Sequence, residues 1–169
     1  MDMNTLVALG ERIEQSSVGA AIAESRYAFP VIEGVHLIGL SISVGLIFIT
    51  DLRLMGLLFT HVPVRDVIHH LRLYVLAGFA LVFLSGGLLF WSEASALIES
   101  PAFPFKMLFM ALAGVNALYF ELVLAKQDAV QENRPLLPRN VKLAGAASLF
   151  LWTLVIICGR LIPYLPHWT

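Results

Sequence analysis

Four long apolar runs dominate the chain, separated by short polar stretches. The first extends from about Phe29 to Leu58, and its uncharged core, Gly34 to Thr50, is bounded by Glu33 and Asp51. The others run from about Leu73 to Trp91, Phe105 to Ala125, and Val141 to Ile162. A helix crossing a bilayer needs about 20 mostly apolar residues, and each run meets that length. The runs are too long for strands and lack period-two alternation. Pro30 stands at the start of the first run, where a missing N–H does little harm. Pro101 and Pro104 precede the third run, Pro135 and Pro138 precede the fourth, and Pro163 and Pro166 follow it. The prolines punctuate the runs and spare their interiors, which predicts four clean helices.

Before the first run, Thr5 to Ile22 carries apolar residues on a helical period. This predicts a short amphipathic helix at the membrane surface, within residues 1–27. Glu11, Glu14 and Glu24 interrupt the segment, and it does not read as a signal peptide.

Composition agrees with a membrane protein. Of the 169 residues, 59 % are hydrophobic and 14 % charged, with mean hydropathy +0.82. Soluble domains carry roughly a quarter charged residues. A net charge of −1 gives no basic field for nucleic acid. The single cysteine, Cys158, excludes an internal disulfide and a cysteine-based metal cluster. With no CxxCH, covalent c-type haem is excluded as well.

The expected fold is all-α: one membrane domain over residues 1–169, an antiparallel four-helix bundle with a short N-terminal surface helix. Small residues would let the helices approach: Gly39 with Ser43 and Ser41 with Gly45 on the first span, Ser85, Gly86 and Gly87 on the second, Ala113 and Ala117 on the third. Arg53, Arg65, Arg72, Lys126, Arg134, Arg139 and Lys142 gather on one side, against Arg12, Arg26, Lys106 and Arg160 on the other. The more basic side is expected to be cytoplasmic, with both termini outside, periplasmic in a bacterium.

Polar groups inside the spans cost several kcal/mol unless paired or hydrated, so each is a functional candidate. They form two layers. In the outer one, Glu33 and His36 share a helix face with Gly39, Ser43 and Thr50. His36 lies about two turns in from Phe29. Trp91, Lys106, Met107, Met110 and Arg160 fall at similar depth. The inner layer holds Asp51, Arg53, His61, His69, His70, Tyr74 and Glu121, with Asn116 near mid-membrane.

An imidazole such as His36 suits haem iron in a membrane bundle. Gly39 and Ser43 would leave room for the macrocycle, and Lys106 and Arg160 would meet its propionates. Met110 or Met107 is the nearest second ligand, and a five-coordinate iron is the alternative. His69 and His70 lie about a membrane thickness from His36 and would serve only a second haem. The plainer readings stay open. His36 is then a structural histidine partnered by Glu33, and His69 and His70 are interfacial. Met107 and Met110 pack, Arg160 reaches for the interface, and Asp51 pairs with Arg53. Glu33 and His36 also match one Glu-x-x-His motif, but di-iron bundles need two.

Phe29-Pro30-Val31-Ile32-Glu33-Gly34-Val35-His36, followed by Asp51-Leu52-Arg53-Leu54-Met55-Gly56, forms an FPxxExxH…DLRLxG pattern. With Gly86-Gly87-Leu88-Leu89-Phe90, Phe105-Lys106 and Gly159-Arg160, it resembles a family of small bacterial four-span membrane proteins of unknown function, over about residues 20–165. That family is similar in layout to membrane b-type cytochromes. The resemblance implies Glu33, His36, Lys106, Asn116 and Arg160 as marked polar positions. It also implies a histidine after the phenylalanine of the third span, where Glu121 follows Phe120 in this chain. This departure bears on a second haem more than on the His36 site.

The leading expectation is therefore a haem b protein carrying electrons in the bacterial inner membrane. It would hold one haem per chain at His36, with a second in question near His69 and His70. A quinone or redox protein would be its partner, and a homo-oligomer its assembly. The alternatives are a cofactor-free small transporter or membrane-complex subunit with proton-linked carboxylates Glu33 and Glu121, and a copper or iron site at Glu33, His36 and Met110.

Overall fold

The computed structural model describes residues 3–127, 130 and 137–165. Arg134, Pro135 and Pro166, three of the basic residues and prolines named above, lie outside these. The described helices are α1 Met3–Glu14, α2 Ser17–Glu24, α3 Ala28–Met55, α4 Val64–Ser92, α5 Ala94–Glu99, α6 Ala102–Leu122, a 3₁₀ turn Leu124–Lys126, and α7 Arg139–Leu161.

Helices α3, α4 and α7, and α6 continued by its 3₁₀ turn, are each long and apolar enough to cross a membrane. They turn bulky apolar side chains outward: Leu73 and Leu84 are each 71 % exposed. Lipid solvates such surfaces, and helices satisfy their own backbone groups inside it. The chain is a multi-pass membrane protein.

The sequence pattern places the helices well and their ends less well. Helix α3 stops three residues before Leu58, because Gly56 adopts φ 79°. The N–H groups of Gly56 and Leu57 fold back onto the carbonyls of Arg53 and Leu52 at 3.1 and 2.9 Å, a glycine-terminated helix end. Helix α4 begins directly after Pro63, well before Leu73, because its first turns are polar and carry Arg65, Asp66, His69 and His70. Helices α6 and α7 start immediately after Pro101 and Pro138.

The N-terminal segment forms two helices rather than one. Gln15 and Ser16 break it, and the Ser16 hydroxyl caps α2 by accepting from the Gly19 N–H at 3.4 Å. Both helices dock on the outer end of the bundle. At Gly10 α1 comes so close to α5 that a Cβ would stand 2.9 Å from the Ser95 nitrogen. Glu14 Oε1 accepts from the Ser95 N–H and hydroxyl at 2.8 and 2.7 Å. The Trp91 indole donates to Ser16 Oγ at 2.8 Å. Helix α5, which this contact requires, has no strong signature in the sequence.

Helix α3 packs between α4 and α7, and α7 packs on α6. All four spans meet in a central apolar cluster of Val44, Ala113, Trp152 and Val155, with Phe79 and Met110 against it. Phe79 of α4 and Trp152 of α7 lie 5.1 Å apart. A second cluster, Leu54, Val64, Leu124 and Val141 among its members, fills the inner end. The α3–α4 contact runs through Gly39, Ser43 and Gly78: a Cβ on Gly78 would stand 2.9 Å from the Ser43 nitrogen. Ser41 and Gly45, the other small pair on α3, face outward, with nothing within 4 Å of a Cβ at Gly45. Ala113 is buried, whereas Ala117 is exposed.

Candidate functional site

The polar residues of the spans occupy two separate places along α3, on either side of the central apolar cluster. His36 marks the outer place and Asp51 the inner one. Fifteen residues separate them, about 22 Å at the rise of an α-helix.

At the outer place, His36 is half-buried at the α3–α4 contact, and a Cβ on Gly86 would stand 3.0 Å from its Cε1. The Ser85 hydroxyl donates its one proton to the Leu81 carbonyl at 2.5 Å. Its oxygen therefore accepts from His36 Nδ1, 3.0 Å away. The neutral ring then carries its proton on Nδ1 and leaves the Nε2 lone pair available. Ser85 and the Val82 carbonyl, not Glu33, are the hydrogen-bonding neighbours of His36. Glu33 is exposed at the rim, close enough for its charge to act on the ring.

Lys106 enters this layer from α6, and its charge also acts on His36. Its stem runs beside Gly159 of α7, where a Cβ would stand 3.5 to 3.8 Å from Nζ, Cε and Cδ. No carboxylate lies within ion-pair distance of Lys106 among the described residues. Arg160 is exposed and lays its guanidinium over the Tyr164 ring, 5.2 Å from the centroid. Met107 is exposed, and Met110 packs into the central cluster.

Glu14, Glu33 and Glu93 come close enough at the outer end for their charges to interact. Burial pushes the Glu93 carboxyl above the usual glutamate range, and the negative charges of Glu33 and then Glu14 push it further.

The space expected beside His36 for a macrocycle is not open toward α4. A Cβ on Gly39 would already meet Leu81 and Val82 at 3.1 Å. Gly39 and Ser43 thus serve helix approach on that face. Nε2 is the ring nitrogen left for a ligand. No group of three or more His, Cys, Asp or Glu residues gathers as a metal site among the described residues.

The inner place centres on Asp51, which is 4 % exposed. Helix α7 crosses α3 at this point: a Cβ on Gly145 would stand 3.0 Å from the Asp51 carbonyl oxygen. Ser148, one turn along α7, is the hydrogen-bonding neighbour of the carboxyl. The second carboxyl oxygen, Oδ2, is buried with no hydrogen-bond partner among the described residues. Nearby, Asn116 Nδ2 donates to the Ala144 carbonyl at 3.0 Å and ties α6 to α7.

Asp51 and Arg53 do not pair. Residues two apart on a helix point in different directions. Arg53 is 5 % exposed as a residue, and its guanidinium turns to the following loop. There its Nε and Nη2 donate to the Val62 carbonyl at 2.8 and 2.7 Å, and Nη2 reaches the Thr60 carbonyl at 3.5 Å.

The remaining inner residues are peripheral. Glu121 is half-buried and accepts from Arg72 at 2.8 Å. His69 and His70 are exposed, edge to face at 5.8 Å, with His70 Nδ1 on the Asp66 carbonyl at 2.7 Å. His70 lies fifteen residues along α4 from Ser85, again about 22 Å away. It does not approach His36. Tyr74 is exposed.

Sequence reading named Asp51 but not its isolation. The available signal was its position directly after the uncharged core ending at Thr50, opposite the serine and small residues of the fourth span. The partnership of His36 with Ser85 had no signal beyond both lying on small, polar helix faces.

A family model described as a family of unknown function (DUF6644) matches residues 18–165. No curated protein and no solved structure matches the chain.

Proposed function

The chain belongs to that family of unknown function, and we propose from its own geometry that it is a small proton-linked membrane transporter working without a cofactor, with Asp51 as the carboxyl that takes up and returns the proton. The observation that supports this is the setting of Asp51: inside a span, 4 % exposed, with one oxygen unpartnered. An ionised carboxylate held dry and without full pairing costs several kcal/mol. Asp51 therefore changes charge when a proton or cation reaches it. Of the two carboxylates picked out in the sequence, Glu33 is exposed and Glu121 is half-buried and paired with Arg72. They suit the two mouths of a path rather than its centre.

The test is proton flux in proteoliposomes holding a pH-sensitive dye, with a potassium diffusion potential as driving force. The reading expects flux above protein-free liposomes, lost in Asp51→Asn and partly kept in Asp51→Glu. Equal flux in wild type and Asp51→Asn would contradict it.

A haem b bound through His36 Nε2 is the second reading. It is favoured by the Ser85 contact, because a ligating imidazole is normally oriented through its other nitrogen. Lys106 would then meet a propionate, and the group would supply one-electron transfer to a quinone or redox protein of the bacterial inner membrane. A visible spectrum of the purified protein, oxidised and reduced, separates this reading from the first.

A further inference from the structure

We propose that Lys106 forms the charged floor of an oxyanion site at the outer end of the bundle, taking the phosphate of a lipid headgroup or the carboxylate of a small soluble acid. The inference concerns binding alone and stands independently of proton movement at Asp51.

A lysine near a helix end in a membrane ordinarily runs along the lipid-facing surface and puts its ammonium among the headgroups. Lys106 takes another course. Its stem packs against α7 at Gly159, at ordinary contact distance, and the residue is half-buried. Its charge acts on His36, which belongs to the α3–α4 contact, so it lies toward the inside of the bundle. An ammonium in that position requires acceptors.

The chain supplies none at ion-pair distance among the described residues. The acids of this end are engaged elsewhere or exposed: Glu14 is bound to Ser95, and Glu33 and Glu93 are exposed at the rim. The hydrogen bonding of Ser85 commits His36 Nδ1 and leaves Nε2. The layer thus holds a lysine ammonium with no carboxylate at ion-pair distance among the described residues, at the same end of the bundle as the His36 ring. The Phe90–Phe103 stack, with centroids 6.0 Å apart, joins α4 to α6 one turn from Lys106. An oxyanion is the ligand class that completes such a charge. Phosphate and carboxylate share that chemistry, and they differ in whether they arrive through the lipid or through water.

The experiment is thermal unfolding of the full chain in neutral detergent, at fixed ionic strength set with chloride. One arm adds phosphatidylglycerol to the micelles, with phosphatidylcholine as the neutral control. The other adds acetate or inorganic phosphate. Binding to the folded state is expected to raise the midpoint by about 2–4 °C in one arm. Response to phosphatidylglycerol alone identifies a headgroup site, and response to acetate or phosphate identifies a soluble acid. Lys106→Met abolishes the shift, and Lys106→Arg keeps it. Lys106→Met is expected to fold, since it replaces an uncompensated charge with an apolar chain of similar length. No shift in either arm, or the same shift in Lys106→Met as in wild type, overturns the proposal.

Discussion

Gly145 lets α7 lie so close to α3 that a Cβ at this position would stand 3.0 Å from the carbonyl oxygen of Asp51 and 3.1 Å from the Leu54 Cβ. The contact buries the Asp51 carboxyl, because nothing larger than hydrogen separates the two helices there. Packing and chemistry meet at this crossing: the backbone approach that joins the spans also removes water from the acid.

Gly145→Val is therefore expected to separate α3 from α7 and destabilise the fold by about 1–3 kcal/mol, the usual cost of overpacking a filled interface. Gly45→Ala is the matched control, since Gly45 faces open space. Unfolding in mixed micelles compares the two, and similar losses would contradict the assigned α3–α7 contact.

Arg53 fastens the loop between α3 and α4 through the Val62 and Thr60 carbonyls. Arg53→Ala removes charge-assisted hydrogen bonds from a buried position, each worth about 1.5–3 kcal/mol. Faster amide hydrogen exchange is expected across 57–63, with the centre of α3 little changed. Unaltered exchange in the loop would show that the guanidinium does not hold it.

Glu93 gives a pH dependence of stability. Its carboxyl is held above the usual glutamate range by burial, then by Glu33 and Glu14. The folded state therefore binds this proton more tightly than the unfolded chain does. Stability from this group is present below the usual glutamate range, and it is lost as pH rises through that range to the raised folded value. Glu93 is exposed as a residue and its carboxyl only partly buried, which keeps the effect small. Glu93→Gln should flatten this part of a stability profile between mildly acidic and neutral pH. An unchanged slope would contradict the assignment.

The spans were legible because their signal is collective: an apolar run of some 20 residues outweighs any single position. The start of α4 was not, since its polar first turns carry no apolar run and only Pro63 marks them. Ser41 with Gly45 and Gly39 with Ser43 show the same small-residue spacing, yet α4 covers only the second pair. Spacing finds a face but does not say which neighbour fills it. The candidate site divides similarly. His36 and Lys106 stand out as polar residues inside apolar runs, and the structure places both in the outer layer. The isolation of Asp51 depends on Gly145 and Ser148, nearly a hundred residues away in sequence.

The most direct test is the protonation of Asp51 itself, followed by infrared difference spectroscopy of the protein in lipid as pH is stepped. A carboxylic acid and a carboxylate absorb at different frequencies, so a buried group that exchanges its proton produces a paired loss and gain. The account predicts such a pair in wild type and in Glu93→Gln, absent from Asp51→Asn. A spectrum in which Asp51→Asn retains every carboxyl band of the wild type would contradict it.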